Sequence, residues 1–183
     1  LKGLKWIEIS WGGEAPRLVE INPPIKSGTD STLAKQLQYG LKNLALIKLH
    51  QKGFERIVHF ELAKRPNDPV QKILVLELMG RHSNLFLLDQ NQKIITMGRQ
   101  VRKHQSRLRP LSTGDIYSEP PALKGIPPNK EETYEKWKER LCLLPINFKK
   151  ALQDNYQGIS PSLAMQLAHN EKEQASKILS LQV

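Results

Sequence analysis

The chain has 183 residues, enough for one domain with a core of its own, or for one such domain and a small helical module. Hydrophobic residues make up 39% and charged residues 25%, which excludes a disordered polyelectrolyte, and no apolar run approaches the ~20 residues of a membrane-spanning helix. An excess of 28 Lys and Arg over 18 Asp and Glu gives a formal net charge of +10, which favours polyanionic partners: nucleic acid or an anionic membrane surface.

In chain order, Lys5 to Ser10 alternates as a strand, Trp11 to Pro16 turns, and Arg17 to Ile21 returns. Leu1 to Ser10 has no charged-then-apolar leader pattern, so no secretion signal is expected there. The first residue is not Met and already lies in a structured-looking segment, so a fragment of a longer protein is expected. Pro23 to Thr29 reads as a loop. Asp30 or Ser31 then caps a helix whose Leu33, Leu37, Leu41 and Leu44 share one face, weakened by Gly40 and ended by Asn43. Leu44 to Gln51 and Phe54 to Leu62 read as a hairpin around a tight Lys52-Gly53 turn. Ala63 to Pro69 is a surface loop. The runs Lys72 to Met79, Asn84 to Asp89 and Lys93 to Met97 are further strands.

From Leu111 to Asn129, prolines at 120, 121, 127 and 128 and glycines at 114 and 125 predict a linker over the surface. Helical patterning follows. Tyr134, Trp137, Leu141 and Leu144 share a face ended by Pro145. Phe148 to Tyr156 is a second helix, Gln157-Gly158-Ile159 a tight turn, and Ser160-Pro161 the capped start of a third, with Glu171 to Leu181 a candidate fourth. The fold class expected is α+β. An antiparallel sheet or sandwich with one early helix occupies residues 1–128, and an all-α helix-hairpin-helix module occupies 129–183.

Several features bear on function. Gly80-Arg81-His82-Ser83 places donors at a turn between two apolar strands, where a short polar turn would suffice. Arg99, Arg102, Lys103, Arg107 and Arg109, with His104 among them, form a stretch without an acid, whereas solvated faces usually mix signs; phosphate contact is the favoured reading. Glu55-Arg56 follows the Lys52-Gly53 turn and, from the residues alone, reads as an exposed charge pair of little energetic worth. The turn at Gly158, with free N–H groups near Ser160 and Ser162, has the chemistry of a helix-hairpin-helix phosphate site, although the pattern alone is better matched by an ordinary αα-hairpin. His50, His59, His82, His104 and His169 are scattered, so no metal site is expected, and Cys142, the single cysteine, excludes an internal disulfide or a Cys-rich zinc site. No catalytic constellation or cofactor motif is favoured. Trp6, Trp11 and Trp137 suit packing, and aromatics do not interleave with the basic stretch, so backbone and shape recognition of folded RNA fits better than stacking on single-stranded bases.

The run Glu77-Leu78-Met79-Gly80-Arg81-His82-Ser83-Asn84, the strand to Asp89, the Gly114, Tyr117, Pro120, Pro121 pattern and Tyr156-Gln157-Gly158-Ile159-Ser160-Pro161 together resemble the NFACT family. That family includes bacterial RqcH, eukaryotic NEMF and proteins called fibronectin-binding protein A. The Ala63-Lys64-Arg65-Pro66 loop and the Trp-rich segments look most like its cyanobacterial or plastid branch. The resemblance implies an N-terminal fold similar to formamidopyrimidine-type glycosylases without their catalysis. It also implies a cytoplasmic, non-enzymatic role (or a plastid-stroma one) in ribosome-associated quality control: binding the large ribosomal subunit that holds a stalled peptidyl-tRNA, recruiting alanyl-tRNA, and supporting C-terminal alanine tailing. By the same resemblance Glu55 and Arg56 stand where the family's acid-arginine pair engages tRNA, with glutamate here in place of the usual aspartate. The helix departs from the family at Gln38-Tyr39-Gly40, where RqcH-like members carry a basic Arg-Lys-His run. The competing readings are a fibronectin-binding surface adhesin, from the family's older name, and a DNA-repair glycosylase, whose N-terminal proline nucleophile and zinc finger have no counterpart in this chain.

Overall fold

The computed structural model describes residues 5–25, 30–102, 109–143 and 145–169. Contacts divide the chain into two units, residues 1–52 with 56–120, and residues 53–55 with 121–183. The sequence pattern places its boundary at 128–129.

In the first unit, β1 (Trp6–Ser10) and β2 (Arg17–Ile21) form an antiparallel hairpin. A five-stranded meander follows, with β3 (Ala45–His50), β4 (Ile57–Ala63), β5 (Lys72–Glu77), β6 (Asn84–Asp89) and β7 (Ile94–Met97) neighbouring one another in chain order. The expected α+β class with antiparallel strands is what the chain adopts. The central register pairs Val75 with Phe86 and Leu76 with Leu85. Both faces of the meander are covered, which is why β5 and β6 read as unbroken apolar runs rather than alternating ones. One face packs Phe60, Leu62, Leu74, Leu76, Leu85 and Leu87 against α1 (Thr32–Leu41) and the β1–β2 hairpin, through Leu37, Leu41, Ile9, Trp11 and Leu18. Ser31 caps α1 by accepting a hydrogen bond from Ala34 N at 3.1 Å, and Asn43 follows its end with φ of 61°.

The other face corrects the sequence reading. Leu111 and Tyr117 are core residues, packed with Ile57, Val75, Phe86, Leu88, Ile94 and Met97. Main-chain bonds bind their segment to the sheet: Ile94 N donates to Asp115 O, Gly114 N to Ile94 O and Tyr117 N to Gln92 O, each at 2.8 Å. Residues 111–117 are therefore a cover over the sheet and not a linker. Proline and glycine density marks irregular backbone, but two well-placed apolar side chains suffice to bury it. The β3–β4 connection is also longer than a tight Lys52-Gly53 turn, because β4 begins only at Ile57 and leaves Phe54, Glu55 and Arg56 in the loop.

The second unit holds α2 (Tyr134–Cys142), α3 (Phe148–Asn155) and helical residues 161–169. Leu141, Ala151, Leu152 and Tyr156 form its core, with Trp137, Ile146, Phe148 and Ile159 against it. Thr133, Asn147 and Ser160 cap the three helices, accepting from Lys136 N, Lys149 N and Leu163 N. The residues expected to form the fourth helix, and Leu144, lie outside the described residues.

Candidate nucleic-acid interface

Four strand ends meet at one end of the meander: the start of β4, the end of β5, the start of β6 and the end of β7. Arg56 precedes β4, Arg81 and His82 lie between β5 and β6, and Arg99 follows β7. The topology thus gathers, at one sheet end, cations that are up to 43 residues apart by number, Arg56 to Arg99.

The turn between β5 and β6 is a one-turn 3-10 helix, Gly80–His82, and not a simple hairpin turn. Gly80 has φ of +54°, a region costly for a residue with a Cβ. The Ser83 hydroxyl accepts from Met79 N at 2.8 Å, and Ser83 N donates to Gly80 O at 2.9 Å. A Cβ on Gly13, in the β1–β2 turn, would lie 3.1 Å from Arg81 Cα, so the hairpin backs the turn closely. Arg81 and His82 are exposed, with Arg81 Nε donating to His82 Nε2 at 3.1 Å.

Asn84 supports this turn from within. It is 1% exposed, its Oδ1 accepts from Arg99 N at 2.9 Å, and its Nδ2 donates to Arg99 O at 2.7 Å. A carboxamide thereby continues the β6–β7 ladder where main chain would otherwise pair. Arg99 in turn donates from Nη2 to the carbonyls of Arg81 and Ser83, at 2.7 and 3.3 Å. Arg99 is therefore a brace for the turn that presents Arg81, a role the basic stretch did not reveal.

Arg109 is a plainer correction to the phosphate-contact reading. Its guanidinium grips both carboxylate oxygens of Glu77, Nη1 to Oε2 at 3.1 Å and Nη2 to Oε1, and its Nε donates to Ser118 O at 2.6 Å. It lies over the Tyr117 ring at 5.3 Å, and its side chain is only 13% exposed. A carboxylate as buried as Glu77 must be paired, and this arginine is the partner. Tyr117 completes the group, donating from its hydroxyl to Glu77 Oε1 at 2.8 Å. Burial, and then the adjacent Glu77 charge, push the phenol of Tyr117 far above its ordinary pKa. Arg102 is exposed, while Lys103 and Arg107 lie outside the described residues.

Glu55 and Arg56 part ways. Glu55 Oε1 accepts from Leu123 N at 2.9 Å and is half-buried, so it fixes main chain in the helical unit. Arg56 is exposed in the sheet unit, and its carbonyl accepts from Leu78 N at 2.8 Å, which ties it beside the end of β5. Its guanidinium has no hydrogen bond or ion pair among the described residues.

In the helix-hairpin-helix, Gly158 has φ of +77°, and a Cβ there would lie 2.9 Å from Phe54 Cδ1. Ser160 Oγ is occupied as a cap, accepting from Leu163 N at 3.1 Å, and Ser162 is exposed in the first turn. Gly158 and Ser160 thus shape the hairpin itself. The scattered histidines hold one pairing that strand register alone creates: His50 and His59 stand opposite each other, ring centroids 4.9 Å apart. Burial, and then the neighbouring His50, lower the pKa of His59. No group of three or more metal-ligating side chains suited to a metal ion occurs among the described residues.

The whole arrangement has relatives. Residues 1–182 match the family model described as NFACT N-terminal and middle domains. The chain belongs to the NFACT family. Within reach of this NFACT chain in sequence are the Rqc2 homolog RqcH of Streptococcus suis, 30% identical over 152 residues, and that of Bacillus subtilis, 30% identical over 125 residues. These matches cover 81% and 67% of the chain but 26% and 22% of the relatives, so the chain spans about a quarter of the length of the curated relatives it matches. In structure it is similar to the N-terminal part of the fibronectin/fibrinogen-binding protein of Streptococcus suis, with a TM-score of 0.71 at 26% identity, over 90% of this chain and 62% of that one. The N-terminal domain of fibronectin-binding protein PavA of Streptococcus pneumoniae shares the fold, with a TM-score of 0.71 at 24% identity over 97% of this chain and 66% of that one.

Proposed function

We propose that this NFACT chain is the RNA-binding N-terminal part of a ribosome-associated quality-control factor. It engages tRNA and the large ribosomal subunit that carries a stalled peptidyl-tRNA, supports C-terminal alanine tailing, acts in the cytoplasm and performs no catalysis itself. The observation that carries this reading is the 30% identity to RqcH relatives across most of the chain. The exposed cations at one sheet end supply its chemistry. Arg56 and Arg81 meet phosphate, and Arg99 and Asn84 hold the Arg81 turn in shape beforehand, which lowers the ordering cost of binding. Each phosphate neutralised releases counterions, so binding is steeply salt-dependent.

Gradient sedimentation of the full-length protein with stalled large subunits tests this. Co-migration at low salt, lost at high salt and weakened by Arg56→Ala, supports the reading; protein left at the top at low salt overturns it. The names of the solved neighbours favour one second reading, a fibronectin-binding surface protein. Cell fractionation and binding to immobilised fibronectin decide between them, since only the second reading places the protein at the surface.

A further inference from the structure

We propose that the cleft between α1 and the meander is a receptor for one unpaired nucleobase. The cleft has a volume of about 290 Å³ and is lined by Gln36, Tyr39 and Gly40 of α1, Lys72 of β5, and Ile95 and Thr96 of β7. It lies at the small end of ligand pockets, too small for a large ligand and sufficient for a base with part of its sugar.

Each wall offers a different contact. Tyr39 is 86% exposed and has no ring contact among the described residues, so the fold leaves its aromatic face unused. The buried Thr96 hydroxyl donates to Gln36 Oε1 at 2.6 Å. That bond orients the carboxamide and leaves its Nε2 a donor with no partner among the described residues. Lys72 makes no ion pair among the described residues; Asp89, opposite it in register, accepts instead from Asn91 N and Lys93 N. Ile95, 38% exposed, is the apolar wall. Gly40 lets α1 approach the sheet closely beside the cleft, because a Cβ there would lie 2.5 Å from Leu87 Cδ2 and the leucine would have to shift.

A ring to stack upon, an amide donor, an ammonium and an apolar wall together match a nucleotide. The base stacks on Tyr39, a base carbonyl or ring nitrogen accepts from Gln36, and Lys72 meets the phosphate. A phenylalanine or tryptophan side chain offers neither an acceptor edge nor a phosphate, and a tyrosine or histidine offers no phosphate for Lys72. An acidic peptide would use Lys72 and leave Tyr39 idle. The inference rests on the RNA-binding reading for the source of the base, a loop nucleotide of an otherwise folded RNA.

The test uses the full-length protein and an RNA hairpin with 2-aminopurine in its loop, beside the same hairpin with an abasic loop position. The wild type is expected to quench the fluorescence and to prefer the base-bearing loop. Tyr39→Ala should abolish quenching and weaken that binding by about tenfold, Tyr39→Phe should retain both, and Gln36→Ala should fall between. If the wild type binds both hairpins equally, or Tyr39→Ala quenches as well as the wild type, the pocket is wrong while RNA binding stands. If the wild type binds no RNA at low salt, the RNA-binding reading and the pocket fall together.

Discussion

Each of the two units contains a glutamate that accepts from an arginine and a tyrosine, and the two trios differ in depth. In the sheet unit Glu77 binds Arg109 and Tyr117, with side chains of the ion pair 1% and 13% exposed. In the helical unit Glu132 binds Arg140 and Tyr156, with the pair 10% and 33% exposed. Both arginines lie over their tyrosine, at 5.3 and 5.8 Å. The chemistry is the same and the surroundings are not. Water can replace a missing partner at Glu132, whereas nothing replaces one at Glu77. The deep trio therefore holds the fold of the sheet unit, pinning residues 109–117 to β5, and the shallow one adjusts the packing of α2 against the end of α3.

The largest expected effect follows directly. Glu77→Ala strands the buried Arg109 guanidinium and should cost about 3–5 kcal/mol in denaturant unfolding of the full-length protein. Glu132→Ala should cost clearly less; equal losses would show that depth does not separate the two trios. A pH series sharpens it. The Tyr156 hydroxyl, and after it Arg140, hold the Glu132 carboxyl below the usual carboxylate range. Its stabilising contribution is thus present above the unfolded carboxylate pKa and is lost as pH falls through the lowered one, a loss that Glu132→Gln should not show. At the alkaline end the sign reverses. Burial raises the pKa of Tyr117 and of Tyr156. Stability from their neutral hydroxyls is fully present below the ordinary tyrosine pKa and is lost progressively as pH rises from there through the raised values. Spectrophotometric titration should show a late-ionising fraction that Tyr117→Phe reduces. The smallest effects on stability belong to the outward cations: Arg56→Ala and Arg81→Ala should each change it by less than about 0.5 kcal/mol. In RNA binding, each should lower the salt slope by about one.

What the sequence revealed was what short range controls. The apolar runs of β5 and β6, the Ser31 cap with leucines at helical spacing, and the Ser160-Pro161 helix start are local signals, and each formed the expected element. Long-range pairing was not legible. Glu77 and Arg109 stand 32 residues apart with no spacing to join them, so Arg109 read as one more cation in a basic stretch. One signal was available: an acid ending an otherwise apolar strand needs a partner if both sheet faces are covered. Tyr117 was hidden by its prolines and glycines, which describe the backbone and not the side chain's destination. Asn84 read as a strand residue, yet its carboxamide couples the turn to Arg99. At Glu55-Arg56 adjacent charges read as one pair, and the chain uses them separately, one on Leu123 N and one in solvent.

Under the proposed function the outward cations at the sheet end, Arg56 and Arg81, serve RNA, while the inward Arg109 serves the fold. The most direct measurement is sedimentation of full-length Arg56→Ala/Arg81→Ala protein, folded by its unfolding curve, with large subunits that carry stalled peptidyl-tRNA. Native stability with a lost or much weakened association, at a salt concentration where the wild type stays bound, is the expected result. Association as strong as that of the wild type would contradict it.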